Sequence, residues 1–188
     1  MAGLACLLLV GGIAYQVTSA ASGPVAPDMA NAGSSAGLPG GPAPDISQMS
    51  PQERFDRLFN RVMQAAGRGD SIEVQRFTPM ALGAYGQLDS VNPDARYHAA
   101  VLRMQTGDLS GARALADTIL AESPGHLFGY VVRGSAAQIQ NDKRALAQAQ
   151  RDFLAHYAEG LRGNRVEYLE HKPALDEFKG EAEKAVRR

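Results

Sequence analysis

Apolar side chains recur every three or four residues from Phe55 onward, which is the spacing of one face of an α-helix. The first such face consists of Phe55, Leu58, Phe59, Val62 and Met63. It follows residues 50–53 (SPQE), where serine and glutamate have capping-box spacing and proline takes the first helical position. The pattern therefore predicts a helix that begins near Pro51 and ends between Gly67 and Gly69.

One pattern occurs twice between Tyr97 and Tyr157, in copies about 34 residues apart. Each copy has an apolar helix, a tight turn and a second apolar helix, with the turns at Gly107-Asp108 and Asn141-Asp142. A weaker copy precedes them, with its turn at Gly69-Asp70. Asp70 and Asp108 are suited to cap the helices that follow them. A period of this length indicates an array of helical hairpins.

Two prolines modify this pattern. Pro79 predicts that the second helix stops at Phe77 and that a new helix restarts with Thr78 as its cap. Residues 159–165 (EGLRGNR) are a predicted break, and Pro173 opens a final helix. Its apolar face consists of Leu175, Phe178, Ala182 and Val186. The opposite face is heavily charged, which is what the closing helix of an array needs, so this helix is the predicted cap.

These residues resemble the tetratricopeptide repeat over roughly residues 55–157. If Gly107 is taken as that family's turn glycine, Ala100 falls at its small position in the first helix. Ala112 then falls at the small position in the second helix, and Pro124 at the closing proline. The resemblance implies an all-α fold, with a solenoid of two to three helix-turn-helix repeats and a C-terminal capping helix.

The next copy departs further from the family's pattern. Gly134 stands at the small position, and Asn141 replaces the turn glycine, as an asparagine that tolerates the left-handed conformation can. The family's large first-helix aromatic is Arg96 in one copy and Tyr130 in the other, and its second-helix alanine becomes Leu146. An irregular helical bundle is the alternative to a repeat array.

The resemblance also implies a partner-binding groove, because the first helices of tetratricopeptide repeats line the concave face. The family's groove positions correspond to Asp94, Tyr97, Val101, Met104, Gln105, Phe128, Val131, Ser135, Gln138 and Ile139. The Lys, Arg and Asn with which some members grip a peptide carboxylate are missing from this set. We expect the groove to take an apolar helix or an extended segment of a partner protein. The alternative is that the protein's own terminal helix or linker fills it.

The N-terminal segment, residues 2–17 (AGLACLLLVGGIAYQV), is uncharged and mostly apolar. As a helix it would span about 24 Å, slightly less than a ~30 Å hydrocarbon core. Its large apolar members are Leu4, Leu7, Leu8, Leu9, Val10 and Ile13, with Tyr15 at an interfacial position. The segment predicts a single transmembrane helix over residues 1–17. A cleaved signal peptide, with its cleavage site in the small residues at 18–21, is the alternative.

Residues 18–49 are rich in Gly, Pro, Ala and Ser and have no apolar periodicity, so they form a predicted linker. It would act as a flexible tether or as an ordered strap on a partner. The predicted domains are therefore an anchor (1–17), this linker (18–49), helical repeats (50–158) and a loop with the capping helix (159–188).

Charge and residue chemistry argue against several classes of function. The 188-residue chain has a formal net charge of −1, which gives no electrostatic reason to bind nucleic acid. Cys6 is the one cysteine, so the chain has neither a disulfide framework nor a cysteine-based metal site. The four histidines are widely separated in sequence, and we expect structural roles for them: His98, His126, His156 and His171. No catalytic constellation is evident, so we expect no enzyme activity, no cofactor or metal, and no small-molecule substrate.

The predicted function is a membrane-anchored scaffold, an accessory or assembly subunit of a larger integral membrane protein complex. Bacterial photosynthetic reaction-centre and antenna complexes are one conceivable setting. The alternative is a transient periplasmic chaperone or peptide binder, since similar anchored repeat proteins serve cytochrome c maturation and envelope assembly. We expect a single-pass protein of the bacterial inner membrane with its bulk in the periplasm, because few residues precede the apolar segment.

Overall fold

A computed structural model describes residues 49–187, and the regular secondary structure within that range is all helical. The helices are α1 (Pro51–Gly67), α2 (Ser71–Tyr85), α3 (Pro93–Gln105), α4 (Leu109–Glu122), α5 (Leu127–Ile139), α6 (Lys143–Arg162), α7 (Val166–Glu170) and α8 (Lys172–Val186). The predicted all-α class is confirmed for this part of the chain. The predicted anchor and nearly all of the predicted linker lie outside the described residues. Among the described helices, none is long and apolar enough to cross a membrane.

The first helix begins with the predicted capping box. The Ser50 side chain accepts a hydrogen bond from the Glu53 backbone N–H at 3.2 Å, and the Ser50 N–H donates to the Glu53 carboxylate at 2.9 Å. These two bonds satisfy backbone donors that a helix start leaves without partners. The local sequence alone therefore fixes where α1 begins.

Three helical hairpins share one turn geometry. The turn residues Gly69, Gly107 and Asn141 have φ angles of 72°, 79° and 56°, in the left-handed region. The aspartate that follows each of them donates its N–H to a carbonyl five residues back, at 2.9, 2.9 and 2.8 Å. Its carboxylate then accepts a backbone N–H from the third residue of the next hairpin helix, at 3.0, 2.8 and 3.0 Å. A Schellman-type ending and an Asp cap thus recur at every predicted turn.

This geometry predicts opposite effects for two glycine-to-alanine changes. Gly107→Ala is expected to lower the free energy of unfolding by about 1–2 kcal/mol, because a Cβ disfavours the left-handed conformation. Gly83→Ala in α2 is expected to raise it by roughly 0.5–1 kcal/mol, because alanine is the better helix former. A Cβ at either position would have open space around it, so crowding does not contribute. Urea unfolding of both variants measures the two changes in free energy. A loss of stability in both would contradict the expected contrast between a turn glycine and a helical glycine.

The predicted break at Pro79 is wrong, because α2 runs continuously from Ser71 to Tyr85 with Pro79 inside it. Pro79 cannot donate a hydrogen bond to the carbonyl of Gln75, but both residues are exposed, so water can reach that carbonyl. The predicted cap, Thr78, is instead buried, and its hydroxyl donates to the Val74 carbonyl at 2.7 Å. Packing of the buried face therefore keeps α2 helical on both sides of the proline.

The C-terminal part differs from the prediction in two ways. Helix α6 continues to Arg162, past the break predicted from residue 159, and the short helix α7 was not predicted. The predicted closing helix is present as α8, which packs against α6 and α5. The Phe178 ring lies edge-on to Phe153, with ring centroids 5.0 Å apart. At Gly134 a Cβ would overlap the Phe178 ring, so glycine is what lets α8 approach α5.

Consecutive helices from α1 to α6 pack against each other, and α3 also contacts both α1 and α5. The first helices of the three hairpins therefore lie side by side in one layer. The C-terminal segment (residues 163–187) folds back on the array: α8 packs against α6 and α5, and Tyr168 and His171 contact aromatic rings of α5 and α3.

Candidate functional site

The C-terminal segment covers the beginning of α3 and α5 with aromatic side chains. The rings of Tyr97 and Phe128 stack on each other, with centroids 4.0 Å apart. Tyr168 of α7 lies edge-on to Phe128 at 5.1 Å, and His171 lies edge-on to Tyr97 at 5.3 Å. The Tyr168 hydroxyl also accepts a hydrogen bond from the Leu127 backbone N–H at 2.9 Å. It thereby caps α5, which has no side-chain cap of its own.

At this junction three polar side chains meet in what we call the histidine cluster, consisting of Asp94, His98 and His171. The Nε2 atoms of His98 and His171 are 2.9 Å apart, so in the absence of a ligand one ring donates a hydrogen bond to the other. The Asp94 Oδ1 atom lies 3.8 Å from each of these nitrogens. Asp94 and His98 are four residues apart on α3, and so they occupy one face of that helix.

Burial weakens the charged forms of all three groups. Burial, with smaller contributions from the nearby carboxylates of Glu167, Glu170 and Asp56, raises the pKa of Asp94 to about 7. Burial lowers the pKa of His98 to about 3, with a smaller contribution from His171. The pKa of His171 is also lowered by burial, against the opposing effect of Glu167. Both imidazoles are therefore neutral at neutral pH.

Two atoms of the cluster have no hydrogen-bond partner among the described residues. They are Asp94 Oδ1 and His171 Nδ1, and both are buried. A buried polar atom without a partner costs free energy, so such atoms are uncommon in folded proteins. Two neutral imidazoles and one carboxylate are also a ligand set that zinc and similar divalent cations bind.

A second buried imidazole lies beside the cluster. His126 is 0% exposed, and neither of its ring nitrogens has a hydrogen-bond partner within the described part of the chain. Its Nε2 atom is 3.7 Å from Glu167 Oε1, too far for a hydrogen bond. Burial lowers the pKa of His126 to about 4, the Arg165 charge acts in the same direction, and Glu167 opposes both.

A comparison of the chain with protein-family models, curated proteins and solved structures found no match. The resemblance to tetratricopeptide repeats therefore rests on the sequence pattern alone.

Apart from Asp94, which belongs to the histidine cluster, the predicted groove residues divide into a covered set and an accessible set. The covered set is buried and comprises Tyr97, Val101, Phe128 and Val131. The accessible set is half-buried or exposed and comprises Met104, Gln105, Ser135, Gln138 and Ile139. Ile139 is the most open of them, at 57% exposed. Tyr97 and Phe128 are covered by His171 and by Tyr168 of α7, and not by the terminal helix of the alternative interpretation.

Sequence reasoning missed the histidine cluster. His98 and His171 are widely separated in sequence, but they come together because α7 and the start of α8 fold back onto α3. One signal was available, since Asp94 and His98 have the i, i+4 spacing that places two ligands on one helical face. The third member is 73 residues away from His98 in sequence, and no local pattern connects the two.

Proposed function

We propose that this chain is a tetratricopeptide-like scaffold that serves as an accessory or assembly subunit of a larger membrane protein complex. The three hairpins with one turn geometry carry the proposal, because repeated hairpins stack into extended surfaces that bind other proteins. The apolar N-terminal segment would hold the scaffold at the bacterial inner membrane, with the helical domain in the periplasm.

The accessible set of groove residues is the surface best suited to a partner. Helices α3 and α5 have 13 residues each and occupy equivalent places in successive hairpins. Met104 and Gln105 near the end of α3 therefore correspond to Gln138 and Ile139 near the end of α5. An apolar side chain flanked by amide groups suits an amphipathic helix or an extended strand of a partner.

A permanent subunit fits this surface better than a general peptide-binding chaperone. A chaperone of unfolded segments needs a broad apolar groove, yet the large aromatic side chains here, Tyr97 and Phe128, are already buried. The uncovered part offers one strongly exposed apolar residue, Ile139, among polar neighbours. Such a surface favours one specific partner.

The proposal predicts that Ile139→Asp weakens capture of the partner by about tenfold or more, because a charge in an apolar contact costs at least 1–2 kcal/mol. The matched control is Ile72→Asp in α2, since Ile72 is also exposed, at 80%, but lies outside the groove. Tyr97 is unsuited to this test because it is buried. Both variants should keep the helical circular dichroism and the unfolding midpoint of the parent protein.

The measurement is mild-detergent extraction of the full chain with a C-terminal tag, followed by sizing and mass spectrometry. A complex of fixed stoichiometry that retains Met1 and is lost with Ile139→Asp supports an anchored subunit. Recovery as a monomer that begins near residues 21–22 would favour the soluble periplasmic binder instead. Equal recovery of the complex with both variants would place the interface elsewhere.

A further inference from the structure

Three potential metal ligands from two distant parts of the chain converge at the junction of α3 and the C-terminal segment. Asp94 and His98 come from α3, and His171 lies between α7 and α8. One ligand atom from each side chain lies within 4.8 Å of the other two. We propose that the histidine cluster binds one divalent transition-metal ion, with zinc as the best fit, and that the ion fastens the C-terminal helices to the repeat array.

The distances suit a tetrahedral zinc ion. Zinc bonds to nitrogen and oxygen of roughly 2.0–2.1 Å place neighbouring ligand atoms about 3.3 Å apart. The observed separations are 2.9 Å between the two Nε2 atoms and 3.8 Å from each of them to Asp94 Oδ1. Movements of about half an ångström, which side-chain rotation provides, would bring all three atoms to coordination distance.

A hydrogen bond between the two imidazoles explains less of the geometry than an ion does. It accounts for the 2.9 Å contact of His98 and His171 but leaves the buried Asp94 Oδ1 without a partner. An ion coordinated by all three side chains satisfies that oxygen as well. It does not supply a partner for His171 Nδ1, which faces away from the ligand atoms.

The surroundings favour a cation. The carboxylates of Asp56, Glu167 and Glu170 lie close enough to act on the charge of Asp94, so negative potential accumulates at the cluster. Aromatic rings wall the cluster, since Phe59 stacks on His98 with centroids 4.0 Å apart and Tyr97 lies against His171. An apolar wall lowers the local dielectric and strengthens the attraction of the ligands for the ion.

The origin of the ligands favours a structural role, because they join α3 to the C-terminal segment. The side chains of His98, His171 and Asp94 are 12%, 10% and 28% exposed, so one side of the cluster is open to solvent. Three protein ligands leave a fourth position, which a water molecule would take from that side. Since the ion would join α3 to the segment that covers the groove, its binding would hold the covered set of groove residues closed.

The test uses the full chain, purified without a polyhistidine tag and stripped with a chelator. Calorimetric titration with Zn²⁺ should give one ion per chain, and Co²⁺ should give the visible absorption of a tetrahedral complex. At a hundredfold excess of Zn²⁺ over Kd, the unfolding midpoint should rise by roughly 5–10 °C. Zn²⁺ should also protect the chain after Arg162 from limited proteolysis.

Two substitutions that remove ligands make the test specific. His171→Gln and Asp94→Asn should each weaken Zn²⁺ binding by at least about 100-fold, since second-shell losses alone reach 10–100-fold. Asp94→Asn preserves shape and leaves no buried carboxylate, so it keeps the fold if His171→Gln does not. The matched control, His156→Gln, removes a half-buried histidine that stacks on Tyr130 and should bind Zn²⁺ like the parent. The proposal is overturned if the parent does not bind, or if Asp94→Asn binds equally well.

Discussion

Replacing Phe128 with alanine is expected to lower the free energy of unfolding by about 3–5 kcal/mol, the range for deleting a fully buried ring. Phe128 is 0% exposed, and it joins the hairpin array to the C-terminal segment. Its ring stacks on Tyr97 at 4.0 Å and lies near His126, Tyr168 and His171 at 5.6, 5.1 and 5.5 Å. The alanine variant would leave a cavity where α3, α5 and α7 meet.

Chemical unfolding measures how much stability Phe128→Ala loses, and hydrogen exchange shows which part of the chain opens. Phe128→Ala should open Val166–Glu170 before the rest of the chain unfolds, because this ring is a main contact of Tyr168. The matched control is Phe77→Ala, since Phe77 is 1% exposed but lies in α2. Phe77→Ala should lower the free energy of unfolding by a similar amount, without selective opening of α7. Equal protection of α7 in both variants would show that Phe128 does not hold that segment.

Stability is also expected to fall as the pH drops below about 6.5, by up to roughly 3 kcal/mol from His126 alone. The pKa of His126 is about 4 in the folded chain, below the ordinary value of 6.5, chiefly because the ring is buried. Between these two values the unfolded chain takes up a proton that the folded chain does not. The contribution of His126 to stability is therefore full above pH 6.5 and is lost as the pH falls to 4.

Other groups titrate in the same range, so the test compares variants. The lowered pKa values of His98 and His171 act in the same direction as that of His126, and the raised pKa of Asp94 acts in the opposite direction. His126→Phe fills the same space, removes two unpaired nitrogens and should flatten the loss of stability between pH 6.5 and 4. His156→Phe, on α6, is the control and should retain the parental slope. If both variants retain it, His126 is not the group responsible.

The sequence predicted those features that depend on neighbouring residues. The capping box at Ser50, the aspartate caps and the turns at Gly69, Gly107 and Asn141 are all present, because each is decided within a few residues. The same local reasoning failed at Pro79, where the packing of buried neighbours outweighs the missing hydrogen bond.

The histidine cluster and the covered groove depend on contacts between residues far apart in sequence. Nothing near His171 in sequence indicates that it approaches His98. The approach requires the chain to turn back after Arg162 and to form helix α7, which was not predicted. The groove was proposed from α3 and α5 alone, so its covering by Tyr168 could not be derived. Which of the predicted groove residues are accessible became evident only from the packing of the C-terminal segment.

The covering segment follows the hairpins along the chain, and this order has a consequence for biosynthesis. The hairpins consist of local contacts, which form within microseconds to milliseconds once they leave the ribosome. At about 5–20 residues per second, synthesis of the roughly 20 residues of α7 and α8 takes about one to four seconds more. During that interval Tyr97 and Phe128 are uncovered on every nascent chain. Premature termination before Val166 would leave Tyr97 and Phe128 permanently uncovered. This apolar aromatic surface would then be accessible to chaperones and proteases.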